Sequence, residues 1–188
     1  KGYENIKGIC SCGDYILNDE GVKKTAKTKD GDFMLVPICS QPLLIVERLR
    51  NIQDNCEKVV LAFCVGNSWE TVQIEREVIA SNTKIIRLAN FSIDVTSETA
   101  KDIVKYSQCL MQKNINLIKV SHTVNRLGWQ NGEFVPYSDK VKCDSIAEFS
   151  GIYKSIASKG NYELWREHCL KLRKNIYLRL TMAASFAA

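Results

Sequence analysis

The chain has 188 residues, of which 45% are apolar and 25% are charged, an ordinary balance for a globular protein with a buried core. No apolar run approaches the roughly 18 residues that a membrane-spanning helix needs, and 10 glycines and 3 prolines exclude collagen-like and disordered chains. The 26 basic residues outnumber the 21 acidic ones, and the resulting net charge of +5 permits a nucleic-acid partner without requiring one.

The eight cysteines are expected to be reduced thiols. Their spacings are scattered, no secretory signal opens the chain, and several lie inside apolar runs such as 61–65, where a thiol behaves as a small hydrophobic side chain. We therefore expect a cytoplasmic protein. The chain begins at Lys1 and ends at Ala188 within an apolar helical pattern that has no stop signal, so we expect a piece of a longer protein.

The first 80 residues predict a β-rich region. Short apolar runs at 15–17 and 33–36 predict two strands, and residues 42–74 predict an antiparallel meander. The lysine-rich segment between the first two strands predicts the solvated tip of a hairpin or, alternatively, a loop that contacts phosphates. Its lysines are Lys23, Lys24, Lys27 and Lys29.

Two helical segments follow. The first is expected at 82–88 and is ended by Asn90 in the left-handed conformation. The second is a better helix at 97–113, capped by Thr96 or Ser97. Its predicted inner face comprises Ala100, Ile103, Val104, Ser107, Leu110 and Met111.

Extended structure returns after this helix. The pattern predicts a strand at 117–124, a hairpin at the Asn-Gly pair 131–132 and another strand at 145–149. Residues 162–188 predict one long helix, capped by Asn161. Its apolar stripe consists of Trp165, Cys169, Leu172, Ile176, Leu180 and Ala183.

Together these elements predict an α+β fold with a mostly antiparallel sheet, a small α/β part and a long C-terminal helix. We assign residues 1–160 to an α+β domain, β-rich over 1–80 and α/β over 81–160. Residues 161–188 form the C-terminal helix.

No motif for catalysis, a metal or a nucleotide is present, since the nucleophile-elbow, zinc-protease, phosphate-loop and dinucleotide patterns are all absent. The two histidines, His122 and His168, are expected to be hydrogen-bonded structural residues. The pair Cys10 and Cys12 falls short of the four ligands of a structural zinc site. We therefore predict that the chain is not an enzyme and holds no catalytic residue, metal or cofactor. A hydrolase that uses a cysteine or a histidine is an alternative.

Basic residues near aromatic ones indicate possible contact with nucleic acid. An indole can stack on a base while a neighbouring guanidinium holds a phosphate, as Trp129 and Arg126 could do. The alternative is that Trp129 belongs to the core and the lysines are simply solvated. The DNA-binding candidates are Lys23, Lys24, Lys27, Lys29, Arg126, Trp129, Arg166 and Arg173.

Two segments together resemble a known family. Residues 126–136 resemble its "GW…FV-P" stretch, and residues 160–188 are similar to its helix with an early tryptophan and an "A-A-x-F-A-A" end. The pair 68–69 and the stretch around Ile93 precede these two segments in the order expected for the family. The family is the domain-of-unknown-function 927 family, and the resemblance covers about residues 35–188.

In that family this region precedes a P-loop ATPase core, in proteins of phages, plasmids and chromosomal cassettes that look like replicative helicases or primase-helicases. The resemblance therefore implies a non-catalytic accessory domain of a mobile-element helicase. ATP and magnesium would belong to the ATPase core and not to this chain. The implied partners are DNA, single-stranded or at a fork, and the protein's own ATPase domain, with no membrane. The alternative is an oligomerisation or partner-docking domain of the same motor protein, forming a homo-oligomer.

Overall fold

The chain divides into two units, residues 1–146 and 147–188, which are described separately below. In the first unit, sheets and helices combine in an α+β arrangement whose strands are mostly antiparallel, which confirms the predicted fold class. The computed structural model describes residues 12–28, 31–66, 68–135, 138–144 and 159–186.

The described elements of the first unit are ten strands, two α-helices and one 3₁₀ helix. The strands are β1 Tyr15–Asn18, β2 Gly21–Lys27, β3 Phe33–Cys39, β4 Leu43–Asn51, β5 Glu57–Val65, β6 Ser68–Glu75, β7 Lys119–Val124, β8 Gly128–Gln130, β9 Glu133–Val135 and β10 Val141–Cys143. The helices are α1 Arg76–Ala80, the 3₁₀ helix Ile85–Phe91 and α2 Ala100–Lys113.

The strands form three sheets. Strands β1, β2 and β3 pair antiparallel in that order, and β8 pairs with β9 as a hairpin. The largest sheet has the order β10-β7-β4-β5-β6. Its β4-β5-β6 part is the predicted antiparallel meander, whereas β7 pairs parallel with both β4 and β10. The predicted strand at 145–149 lies outside the described residues.

Helix α2 supplies much of the core of this unit. The inner face predicted for it is fully buried, as period-3.6 spacing of apolar residues requires. The Tyr106 hydroxyl donates a hydrogen bond of 2.7 Å to the Leu43 carbonyl, which satisfies a polar group in the interior. The residues around it include Leu43, Ile45, Leu61, Phe63, Ile103 and Leu110.

The helix ends differ from the predictions in detail. Helix α2 begins at Ala100 with Thr99 at its N-cap, so the predicted cap at Thr96 or Ser97 is wrong. Thr96 instead accepts from the Ala100 and Thr99 N–H groups through its carbonyl and hydroxyl, in the turn before the helix. The predicted helical segment near residue 85 is a 3₁₀ helix instead of an α-helix. Ser92, with φ of 62°, takes the left-handed position that was predicted for Asn90.

Residues 159–186, the described part of the second unit, form two helices, α3 Tyr162–Leu172 and α4 Ile176–Phe186, where one long helix was predicted over 162–188. Asn161 caps α3 as predicted, since its side chain accepts from the Leu164 N–H at 3.1 Å. The interruption comes from Asn175, whose side-chain oxygen accepts from the Tyr177 N–H at 2.9 Å and so starts a new helix.

Among the described glycines, Gly21 leaves the least room for a side chain, and it generates a stability prediction. Its φ is +126°, and a Cβ there would lie 2.2 Å from the Cys39 carbonyl oxygen. Gly31 also has positive φ, +91°, but a Cβ would meet nothing within 4 Å. We expect Gly31→Ala to lower the free energy of unfolding by the left-handed strain alone, about 1–2 kcal/mol. Gly21→Ala should cost more than about 4 kcal/mol because of the added clash.

Urea denaturation followed by circular dichroism measures both values. Equal losses in the two variants would contradict the predicted close approach between Gly21 and β3.

Candidate nucleic-acid interface

The β8–β9 hairpin presents an exposed aromatic pair. Asn131 and Gly132 take φ values of 48° and 81° in the two-residue turn, which confirms the predicted hairpin. Trp129 and Phe134 are cross-strand partners with ring centroids 5.4 Å apart in an edge-to-face arrangement. Trp129 is 74% exposed, so it is not part of the core.

A cation lies three residues before the indole. Arg126 is exposed, and its guanidinium makes no ion pair or hydrogen bond with any residue that the structure describes. Leu127, next to it, is also exposed. Arg126 and Trp129, three residues apart in the sequence, are thus both exposed, and within the described part of the chain the Arg126 charge has no acidic partner.

Amide side chains hold the base of this hairpin in place. The buried Asn51 donates to the Asn125 side chain at 2.8 Å. Gln53 accepts from the Asn125 N–H at 3.1 Å and donates to the Gln130 side chain at 3.2 Å. The turn after β4 thus holds the chain on both sides of Arg126. These hydrogen bonds connect the aromatic hairpin to the large sheet.

The predicted lysine-rich hairpin tip is wrong for its first members, because Lys23 and Lys24 lie within β2. Lys23 pairs with Glu20, three residues before it. Lys24 lies 2.7 Å from Asp102 of α2, and this ion pair ties the small sheet to the core helix. Both charges are therefore compensated locally, while Lys29 lies outside the described residues.

Lys27 has a different environment. It lies near the end of β2, with its Nζ 5.4 Å from the ring centroid of Phe33 at the start of β3. Phe33 is 70% exposed, and Met34 and Leu35 beside it are also exposed. A cation over an exposed ring is a favourable electrostatic contact, and it combines the same two residue types as Arg126 and Trp129. Sequence reasoning missed Phe33, because an apolar strand looks the same whether it is buried or exposed.

Arg166 and Arg173, the last two predicted contacts, lie in the second unit on one pocket of about 450 Å³. Arg166 lies 3.6 Å from Glu163. The sequence analysis did not single out Arg179, whose position on the same pocket depends on the break before α4. The pocket is lined by Trp165, Arg166, Cys169, Leu170, Arg173, Arg179, Met182 and Ala183.

Some other basic groups of the first unit pair with acidic side chains on the large sheet. Lys142 lies 2.7 Å from Glu47, and Ser121 donates to the same carboxylate. Burial alone would raise the pKa of Glu47, but the hydrogen bonds from Lys142 and Ser121 outweigh it and lower the pKa. Lys58 lies 2.9 Å from the buried carboxylate of Asp144. These lysines stabilise the sheet and are not free to hold phosphates.

The described residues include both histidines and seven of the eight cysteines. They contain no cluster of three or more His, Cys, Asp or Glu side chains that could hold a metal. His122 and His168 are exposed and make no hydrogen bond there, so their predicted structural hydrogen bonds are wrong. Burial raises the pKa of Cys12 to about 12 and that of Cys39 to about 11, which keeps both as neutral thiols. Among the described helices, none combines the length and apolar character needed to span a bilayer.

Comparison with known families identifies the chain. The profile of the family described as Domain of unknown function (DUF927) matches residues 15–188, so the chain belongs to this family. The match begins at residue 15, whereas the resemblance seen in the sequence begins at about residue 35. The match therefore also includes β1 and β2, with the lysines of β2. No curated protein matches the chain.

The ion pairs of β5 generate a pH prediction. Arg48 donates two hydrogen bonds to Glu57, of 2.8 and 3.0 Å, and Arg76 adds a third at 3.2 Å. The Arg48 hydrogen bonds, aided by the charge of Arg76, lower the pKa of Glu57 below its ordinary value of 4.5. This carboxylate therefore stabilises the fold above pH 4.5, and its contribution is lost as the pH falls through the lowered pKa.

We expect Glu57→Gln to be less stable than the wild type near neutral pH and to lose less stability on acidification. Urea denaturation at several pH values between neutrality and about pH 3 measures both effects. The lower limit lies about one pH unit below the ordinary pKa of a carboxyl group. Glu70→Gln, which removes an exposed carboxyl, should keep the wild-type acid profile. Parallel profiles for the wild type and Glu57→Gln would contradict the assignment.

Proposed function

We propose that this chain is a non-catalytic N-terminal accessory domain of a mobile-element replicative helicase, and that it engages DNA through phosphate contacts and stacking. The motor protein would be a phage, plasmid or cassette ATPase, and ATP and magnesium would serve its ATPase core. Single strands or a fork are the expected DNA form, because stacking needs bases whose faces are accessible.

The observation that supports this proposal most directly is the exposure of Trp129, which follows Arg126 by three residues, a cation with no ion pair among the described residues. Burying a tryptophan is favourable by several kcal/mol on transfer scales, about 25 cal/mol per Å² of apolar surface. A folded domain that leaves 74% of an indole in water therefore keeps it available for a partner. Every base has a π-face, so an exposed indole and a nearby guanidinium suit a strand of any sequence.

Lys27 with Phe33 gives the proposal a second contact of the same kind. By contrast, Lys23 and Lys24 are neutralised by Glu20 and Asp102 and are expected to contribute less. The sequence analysis treated these lysines as equivalent candidates. The ion pairs now distinguish Lys27 from Lys23 and Lys24.

The alternative function is oligomerisation or docking within the same motor protein. It is favoured by the second unit, where α3 has no buried residue and α4 carries exposed large apolar side chains. Surface of this kind is characteristic of sites where another protein packs. Sedimentation at high protein concentration distinguishes the two functions, because a strict monomer would count against self-association. The exposed residues are Tyr162, Leu164, Trp165, Leu170, Leu172, Ile176, Tyr177, Leu178 and Leu180.

The DNA-engaging function is tested by fluorescence anisotropy of a labelled single strand and a labelled duplex at two salt concentrations. We expect binding in the micromolar range that weakens by roughly one power of salt concentration for each phosphate contact. No binding at low salt, or binding that does not respond to salt, would contradict the proposal.

The variant Trp129→Ala tests the stacking contact. We expect it to weaken single-strand binding by about 1–3 kcal/mol, the usual cost of removing one base-stacking side chain. The matched control is Phe91→Ala, which removes another exposed aromatic side chain of the first unit. Equal affinities for the two variants would show that Trp129 does not contact the DNA.

A further inference from the structure

The pocket of the second unit concentrates positive charge. Three guanidinium groups, those of Arg166, Arg173 and Arg179, line it, and among the described residues no carboxylate does. Arg166 comes from α3, Arg179 comes from α4, and Arg173 lies at the turn between them. The break at Asn175 therefore brings together cations that a single continuous helix would distribute along its length.

These charges are only partly compensated within the unit. The two acidic residues of the described helices, Glu163 and Glu167, pair with Arg166 at 3.6 Å and Lys171 at 2.6 Å. The guanidiniums of Arg173 and Arg179 have no ion pair among residues 159–186. The field in the pocket therefore favours an anion, and a guanidinium can hold a phosphate through two parallel hydrogen bonds.

The remaining wall of the pocket is apolar and includes an aromatic ring. Trp165 is 54% exposed, and Leu170, Met182 and Ala183 complete the apolar lining. A volume of about 450 Å³ lies within the usual range for small-molecule sites, roughly 300–1,000 Å³, and accommodates a unit the size of a nucleotide.

We propose that this pocket binds one nucleotide unit of single-stranded DNA, with its base against the Trp165 indole and its phosphate between Arg173 and Arg179. The inference rests on the proposed function and assigns it a specific subsite, including Arg179. An acidic peptide would satisfy the charges, but it would leave the indole without a π-partner. The combination of an aromatic face with free guanidiniums therefore favours a nucleotide.

Trp165 itself supplies the test, because the chain has only 3 tryptophans. In the double variant Trp69→Phe/Trp129→Phe, Trp165 is the only indole. We expect its fluorescence to be quenched saturably by a short oligothymidylate at low salt, and more weakly by thymidine monophosphate alone. A polyglutamate peptide of similar charge should quench it less than the oligonucleotide does.

The arginine contact is tested in the same background. Arg173→Gln should weaken the oligothymidylate binding reported by Trp165 about tenfold, the usual effect of losing a charged hydrogen bond. Lys174→Gln is the matched control, because it removes the same charge one residue away from a side chain that does not line the pocket. We expect the control to change the affinity less than about twofold.

Several results would overturn this inference. They are the absence of Trp165 quenching, equal effects of Arg173→Gln and Lys174→Gln, equal affinity for thymidine monophosphate and the oligonucleotide, or stronger quenching by polyglutamate. The variant Trp69→Phe/Trp165→Phe, which reports from Trp129, separates the two proposals. Quenching there without quenching of Trp165 overturns only the pocket, whereas quenching in neither variant overturns the proposed function as well.

Discussion

The packing of α2 on the large sheet is the constraint on which the first unit depends. Tyr106 places its ring in the core and its hydroxyl on the Leu43 carbonyl, so helix and sheet are joined by burial and by a hydrogen bond. The same helix holds the small sheet, because Asp102 accepts from Tyr15 at 3.4 Å and pairs with Lys24. This packing uses the inner faces of the elements and leaves the aromatic rings of the β8–β9 hairpin and of β3 in water. The exposed surface on which the functional proposal rests is thus presented by a well-packed framework.

Local patterns predicted the parts of this fold that local physics determines. The meander, helix α2 and the Asn-Gly hairpin each follow from residue spacing and turn chemistry over a few positions. The parallel pairing of β7 with β4 could not be predicted in this way, because strand partners far apart in sequence are selected by tertiary packing. The break between α3 and α4 had a local signal, Asn175, but the surrounding apolar periodicity favoured an uninterrupted helix.

The candidate site likewise combines features that local sequence predicts with features that only tertiary contacts determine. The short sequence separation of Arg126 and Trp129 was readable from the sequence, but the exposure of the indole was not, since a tryptophan near a glycine can be core or surface. The pairing of Lys24 was not readable from the sequence, because its partner Asp102 is 78 residues away and no short-range pattern reveals such an ion pair. Arg179 lines the pocket because the turn between α3 and α4 brings α4 against the pocket. A sequence shows which side chains are charged or aromatic. Whether a charge is paired and whether a ring is exposed depend on long-range contacts.

The exposed aromatic pair is the observation on which the central proposal rests, namely that the β8–β9 hairpin contacts single-stranded DNA. Hydrogen–deuterium exchange of the chain with and without oligothymidylate tests it most directly. The account predicts slower exchange of the amides of Gly128–Gln130 and Glu133–Val135 in the presence of the oligonucleotide, with unchanged exchange in α1. Unchanged exchange throughout the hairpin, under conditions where the oligonucleotide is bound, would contradict it.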